Sequence, residues 1–399
     1  IFMGTTNGWV QIADNSTQLI TRFTLGPVPM FIMMGALFFH TGLAIRVFDG
    51  LDVIFGKLPG RLCFLTVAGG TLFSTLTGSS MANTAMLGSL MVPEMQKRGY
   101  NWQMSMGPIL GTGGLAMIIP PSALGVLLAS VASIDVGKLL IAGFIPGFVL
   151  AGLYSLMILL QLKMNPESAP AYDVEMPSIS ERIKLVCVNI LPMGIIVFMV
   201  VGFIILGWAT PTEAAAFGVL GVIVVAAGFR ALSFESIKTA THATVKVAAM
   251  VFFIIMSSTV FSQLLAFSGA SAGLLEWAIS FGISKYWVLL LMFFILIALG
   301  MFMDATSMML ITVPIFFPLA EQLGFDLIWF GLFVLMTFEM AGTTPPFGLL
   351  LYVMLGVAPK GTTLYQVAAA AFPFLVCDAI LILLMVKWPM LALWLPSLM

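Results

Sequence analysis

Two short polar strings interrupt long apolar runs in this 399-residue chain: Gly78-Ser79-Ser80-Met81-Ala82-Asn83-Thr84 and Met301-Phe302-Met303-Asp304-Ala305-Thr306-Ser307. Their hydroxyl, amide and carboxylate oxygens are hard ligands of the kind that suit an alkali cation. Asp304 stands deep inside an apolar stretch, where an unpaired carboxylate is so costly that such a residue is expected to face a partner or a pathway. Asp304-Ala305-Thr306-Ser307 is also the order of a helix N-cap, a role compatible with cation binding. Ser79, Ser80 and Asn83 carry the same two readings. Each string is expected to face a second break. One is Gly113-Gly114 with Ile118 to Ser122, which contains Pro120-Pro121; the other is Gly342-Thr343-Thr344 ahead of Pro345-Pro346. Proline has no N–H and disfavours a helical residue before it, so a helix must stop at each pair. At such stops the free N–H groups offer partial positive charge to an anion, and the free carbonyls offer oxygens to a cation such as Na⁺.

The remaining ionisable residues are less specific. Glu339 sits five positions before Thr344, where coupling and plain helix–helix hydrogen bonding are both open. Thr210-Pro211-Thr212-Glu213 reads as a capping box with proline at the first helical position. His40 and His242 are lone histidines without a second ligand and receive no role. Cys63, Cys187 and Cys377 are odd in number and far apart, which excludes a disulfide framework and any C-x-x-C motif.

The elements that position these groups follow from composition. The chain is 61% hydrophobic and carries only 33 Asp, Glu, Lys and Arg, where a soluble chain of this length would have about 100. With 16 basic and 17 acidic residues there is no positive field to attract nucleic acid. Apolar runs recur at the length a helix needs to cross a hydrocarbon core, so the fold class is an all-α polytopic membrane protein. Plain spans are expected at residues 26–47, 139–163, 184–208, 211–229, 246–267 and 363–388. Residues 102–133 and 326–358 read as helices broken at the proline pairs. Residues 62–97 and 286–321 read as re-entrant hairpins with the polar strings at their tips. Phe48, Leu51, Phe55 and Leu58, and likewise Leu274, Trp277, Ala278 and Phe281, recur at helical spacing and predict two amphipathic interfacial helices.

A shift of 225 residues brings Pro93, Gly99, Tyr100, Pro120 and Pro121 onto Pro318, Gly324, Phe325, Pro345 and Pro346, and Ser79 onto Asp304. Five crossings separate the hairpins, so the second copy is expected to be inverted. In this threading 12 of the 16 Lys and Arg fall on one side, which sets that side as cytoplasmic, with the first hairpin entering from it and the second from outside. Inverted repeats with discontinuous helices are a recurrent construction of secondary transporters. The chain opens without an initiator Met or a charged leader, and is expected to begin inside a longer polypeptide.

The strings GSSMANTAMLGSLMVPEMQKRGY, IIPPS, ATPTEAAAFGVL, MDATSMMLITVPIFFPLAEQLGFD and TPPFGLLLYV resemble the signature segments of the large membrane subunit of TRAP (tripartite ATP-independent periplasmic) transporters. The resemblance implies a multi-pass protein of the bacterial inner membrane that imports organic anions by Na⁺ symport and an elevator motion. It also implies as partners a small four-helix membrane subunit, a periplasmic substrate-binding protein, a small organic anion and the lipid bilayer, with no nucleic acid and no enzyme activity. Na⁺ is then assigned to Ser79, Ser80, Asn83, Gly114, Asp304, Thr306, Gly342 and Thr343. Substrate is assigned to Ser80, Asn83, Pro121, Ser122, Ser307, Thr344, Pro345 and Pro346. The implied organisation is a segment on the periplasmic side at 1–25, a scaffold helix at 26–47, an arm at 48–60 and a first transport repeat at 61–163. A connector at 164–183, scaffold helices at 184–267, a second arm at 268–285 and a second transport repeat at 286–399 complete it. The chain departs from the family pattern at Asn83, where Asp is common, and at Thr337-Phe338-Glu339-Met340-Ala341, which keeps only the Glu of the usual segment. A stand-alone Na⁺/dicarboxylate carrier and, from another class, a passive channel are the alternatives.

Overall fold

The computed structural model describes residues 9–11, 13–14, 17–18, 25–55, 58–77, 79–170, 177–269, 273 and 284–399, and their regular structure is helical throughout. Five helices among them are long and apolar enough to cross a membrane: Val136–Met164, Ile179–Ile205, Pro211–Gly228, Phe234–Phe261 and Leu364–Lys387. Local chemistry starts several of them. The Thr210–Glu213 capping box forms as its sequence requires, with the Glu213 carboxylate accepting from the Thr210 N–H at 2.8 Å. Thr363 and Gln366 make the same motif ahead of Leu364–Lys387.

The span expected at 26–47 is not continuous. Its helix, Pro27–His40, ends at Thr41, and the chain turns 68° into Leu43–Phe55. Gly42 makes the turn at φ +72°, a backbone conformation that a side chain strongly disfavours. The arm therefore begins at Leu43 and buries Leu43, Val47, Phe48 and Leu51 on one face. Leu58, expected on that stripe, lies beyond the helix and is exposed. The span expected from 246 begins at Phe234, giving a 35-residue helix to Ser268. Leu274, Trp277, Ala278 and Phe281 of the second expected arm lie outside the described residues.

The 225-residue repeat is visible in helix bounds. It carries Ser80–Lys97 onto Ala305–Gln322 and Trp102–Ile118 onto Leu327–Thr343. The same shift takes the N-caps Ser79 and Asn101 onto the N-caps Asp304 and Asp326, and the left-handed Gly99 onto Gly324. It also superposes the cis bonds Pro120-Pro121 and Pro345-Pro346.

Two bodies result. In one, the hairpin Arg61–Thr77 and Ser80–Lys97 packs on the broken helix Trp102–Ile118, while Lys285–Gly300 and Ala305–Gln322 pack on Leu327–Thr343. The two broken helices touch each other, and Phe144–Met164 packs against Leu364–Lys387 beside them. In the other body, Pro27–His40 packs on Pro211–Gly228 and on Phe234–Ser268, and the arm Leu43–Phe55 lies on Ile179–Asn189. The arm also reaches the first hairpin, where the buried Arg61 guanidinium pairs with the Asp52 carboxylate and donates to its backbone carbonyl at 2.8 Å.

Close backbone approach behind the first break makes one glycine critical. A Cβ on Gly143 would overlap the Ile118 carbonyl oxygen, a backbone atom that cannot swing aside, whereas a Cβ on Gly152, farther along the same span, meets nothing within 4 Å. Gly143→Ala is expected to lower the melting temperature of the detergent-solubilised protein, at a cost of about 1–3 kcal/mol. Gly152→Ala should leave it unchanged or raise it by up to about 1 kcal/mol through helix propensity. Thermal unfolding of the two variants side by side checks the pair.

Candidate functional site

A cavity of about 750 Å³ lies between the two bodies, and both polar tips open onto it. Ser79 and Ser80 line it from the first hairpin, Asp304, Thr306 and Ser307 from the second, and Gly342 from the second broken helix. The facing wall is apolar, made by Val28 and Ile32 on one helix and Val247, Met250, Val251 and Ile254 on another. His40 is the ionisable residue on that wall. The site thus places small oxygen ligands opposite a smooth hydrocarbon surface, a layout that fixes polar groups of a ligand from one side only.

At the first tip, Ser79 caps the helix by accepting from the Ala82 N–H at 3.3 Å. One turn in, the side chain of Asn83 is fully buried, and its amide nitrogen donates to Ser74 Oγ at 2.7 Å and to the Thr112 carbonyl at 3.0 Å. Its Oδ1 has no partner, and neither has Ser80 Oγ or Thr84 Oγ1, all of them buried. Buried oxygens of this kind are normally satisfied by protein, water or an ion. They meet the first broken helix at Gly113, where a Cβ would overlap Thr84 Oγ1 and come within 3.7 Å of the Ser80 carbonyl. Gly113 therefore lets the hairpin tip and the broken helix approach closely.

At the second tip Asp304 is an N-cap in full. One carboxylate oxygen accepts from the Thr306 and Ser307 N–H groups at 2.9 and 3.2 Å, and the other accepts from Ser307 Oγ at 2.6 Å. Its carboxyl group is thus oriented by the helix terminus beside the cavity. Across from it, Thr343 and Thr344 direct their hydroxyls back to the Met340 carbonyl at 3.1 and 2.6 Å, and Gly348 donates to the Thr344 carbonyl at 3.1 Å.

Other residues singled out from sequence lie elsewhere. Pro121 and Ser122 are buried, and the Ser122 hydroxyl spans the break by donating to the Met117 carbonyl at 2.7 Å and accepting from the Gly125 N–H at 3.0 Å. Pro345 and Pro346 are exposed beside the second break. Gly114 faces away from the tip oxygens and contacts the Glu339 side chain instead. Glu339 is 1% exposed and belongs to a polar cluster that sequence reasoning missed. There the Tyr154 hydroxyl donates to Asp378 and lies 3.4 Å from Glu339 Oε1. Asp378 did carry a signal, an acidic residue in the middle of the apolar run 363–388. Tyr154, Ser74 and Thr112 carried none, since hydroxyls are common in apolar helices. Among the described residues no three His, Cys, Asp or Glu side chains converge as a metal-binding group.

The family model of the tripartite ATP-independent periplasmic transporter, DctM component, matches residues 1–391. The chain belongs to this family. It is 30% identical over 396 residues to the C4-dicarboxylate TRAP transporter large permease protein DctM of Rhodobacter capsulatus, a match covering 95% of this chain and 88% of the relative. It is 32% identical over 380 residues to the protein of the same description in Pseudomonas aeruginosa, covering 94% and 87%. The sialic acid TRAP transporter large permease protein SiaM of Vibrio cholerae is 26% identical over 385 residues, covering 95% and 87%. Among solved structures, the YdaH transporter of Alcanivorax borkumensis matches with a TM-score of 0.69 at 15% identity, over 96% of this chain and 89% of that one. That likeness concerns the fold alone. The DctM-family chain is accordingly a helical membrane permease component and not an enzyme.

The unpartnered oxygens at its first tip make a stability prediction. Thr84→Val removes a hydroxyl that has no hydrogen-bond partner and should leave the melting temperature in Na⁺-free buffer unchanged or higher. Ser74→Ala removes the acceptor of the Asn83 amide and should cost about 1–2 kcal/mol. Thermal unfolding in choline buffer checks both.

Proposed function

We propose that this chain is the large permease subunit of a Na⁺-driven importer of small organic anions, carboxylates in particular. The observation that carries the reading is the group of three buried, unpartnered oxygens on Ser80, Asn83 and Thr84, set against the glycine backbone of a broken helix. Hydroxyl, amide and carbonyl oxygens without donors are the ligand set of a hard monovalent cation. Ser80, Asn83 and Thr84 with the Gly113 backbone would hold one Na⁺. Asp304 and Thr306, with the carbonyl-rich turn at Gly342-Thr343-Thr344, would hold a second. The N-termini of the helices that begin at Ser80 and Ala305 point their N–H groups toward the same cavity, where partial positive charge suits a carboxylate. The relatives' names support the anion: two are C4-dicarboxylate permeases and one a sialic acid permease.

In this reading the two repeats are inverted about an axis in the membrane plane, and the body bearing both tips slides against the apolar wall. That wall offers few polar contacts to break as the tips pass, which suits translation. The partners are a periplasmic substrate-binding protein that delivers the anion and a small membrane subunit, in the cytoplasmic membrane of a bacterium. The family's tripartite description supports this assembly.

Two experiments test it. Asp304→Asn keeps a capping side chain but removes the charge, and is expected to abolish uptake driven by a Na⁺ gradient in proteoliposomes holding the complete transporter while the protein still inserts. Retention of wild-type Na⁺ dependence by this variant would sink the second Na⁺ site. For the motion, Ser80→Cys paired with a cysteine at Val247, Val251 or Ile254, in a background lacking Cys63, Cys187 and Cys377, should crosslink at different depths with and without Na⁺ and substrate. Crosslinks at one depth under all conditions exclude a sliding body.

A further inference from the structure

The carboxylate of Glu339 lies against the backbone of its own repeat mate. The shift of 225 that aligns the two halves carries residue 114 onto residue 339, and a Cβ on Gly114 would overlap the Glu339 carboxyl group. Glycine in one copy makes the room that glutamate fills in the other. Gly113, one residue earlier and about 100° round the same helix, faces Thr84 of the first tip. The neutral tip oxygens and the acidic Glu339 therefore approach the same two residues of the broken helix from different sides. Ser80 Oγ, Asn83 Oδ1, Thr84 Oγ1 and Glu339 Oε2 make up four of the six buried side-chain nitrogen and oxygen atoms without a partner among the described residues.

These atoms have opposite needs. A cation held only by neutral ligands in a dry interior keeps an uncompensated charge, and an unpartnered buried carboxylate oxygen is costly for the mirror-image reason. The three-residue cluster around Glu339 explains why its oxygen stays free. Tyr154 has one phenolic proton to share, donating chiefly to Asp378 and at 3.4 Å to Glu339 Oε1, so that Glu339 is held at one oxygen while Oε2 has no partner. Tyr154 is itself fixed by burial and by the ring of Phe374 at 5.4 Å.

We propose that Glu339 is the counter-charge for the cation at the first hairpin tip, supplied by the second repeat across Gly113-Gly114, and that Tyr154 and Asp378 are positioning residues holding its carboxylate in place. This rests on the Na⁺ reading above. Glu339 is not a ligand of the ion; it acts through space, over the glycine backbone. The first tip has no carboxylate because its charge comes from the other half of the chain.

The test is direct cation binding to the purified protein, read as the rise in melting temperature when Na⁺ replaces choline at constant ionic strength. Wild type is expected to give a saturable rise. Glu339→Gln keeps the shape and removes the charge, and should shift a component of the titration to roughly tenfold higher Na⁺ or beyond, while its melting temperature in choline stays equal or rises. Tyr154→Phe should shift the same component in the same direction and leave the component that depends on Asp304 in place. A wild-type Na⁺ titration in Glu339→Gln overturns the proposal. Should that variant fail to fold, an unshifted titration in Tyr154→Phe overturns it instead. Absence of any Na⁺ response in the wild type overturns the cation reading itself, a result distinct from either.

Discussion

A helix that stops inside hydrocarbon leaves amide and carbonyl groups that lipid cannot satisfy, and the organisation of this chain follows from having four such stops. Each is answered by a side chain or turn of its own. Ser79 and Asp304 cap the two hairpin tips, the Ser122 hydroxyl bonds to both sides of the first break, and Gly348 closes the second. Among the described residues, most of the buried side-chain oxygens without a partner lie where the first tip meets its broken helix. The rest of the fold, from the packing of hairpins on broken helices to the spans behind them, surrounds these ends and buries the first break throughout.

Much of this was legible because the signals were chemical punctuation. Paired prolines located both breaks, and Thr210-Pro211-Thr212-Glu213 located a helix start, since each depends on local backbone constraints that need no tertiary context. The repeat was legible for the same reason: its markers, Gly99 and Gly324 or Asn101 and Asp326, are turn and cap residues with fixed conformational duties. The bend at Gly42 was not. Apolar sequence runs through it without interruption from Phe31 to Ile45 apart from His40-Thr41, and a lone glycine in such a run is ordinarily tolerated inside a helix. The partners of Glu339 were not legible either. Which of several membrane tyrosines reaches an acid 185 residues away is decided by the crossing of helices, and nothing in the periodicity of either helix encodes that meeting.

The two halves share helix bounds yet differ in what they expose. The first break is buried along its whole length, whereas Pro345, Pro346 and Phe347 of the second are exposed. The first tip presents neutral oxygens and the second a carboxylate. Two copies of one plan thus bury one break and expose part of the other.

The contact between Gly114 and Glu339 limits how alike the two halves can be. Repeat mates that meet face to face draw on a single shared volume. Two glutamates there would collide, and two glycines would leave a void. Identical residues at the two positions cannot make this contact, so the packing of the two broken helices depends on their being unlike here. A double exchange, glutamate at 114 with glycine at 339, would restore the volume while moving the acid from the second broken helix to the first.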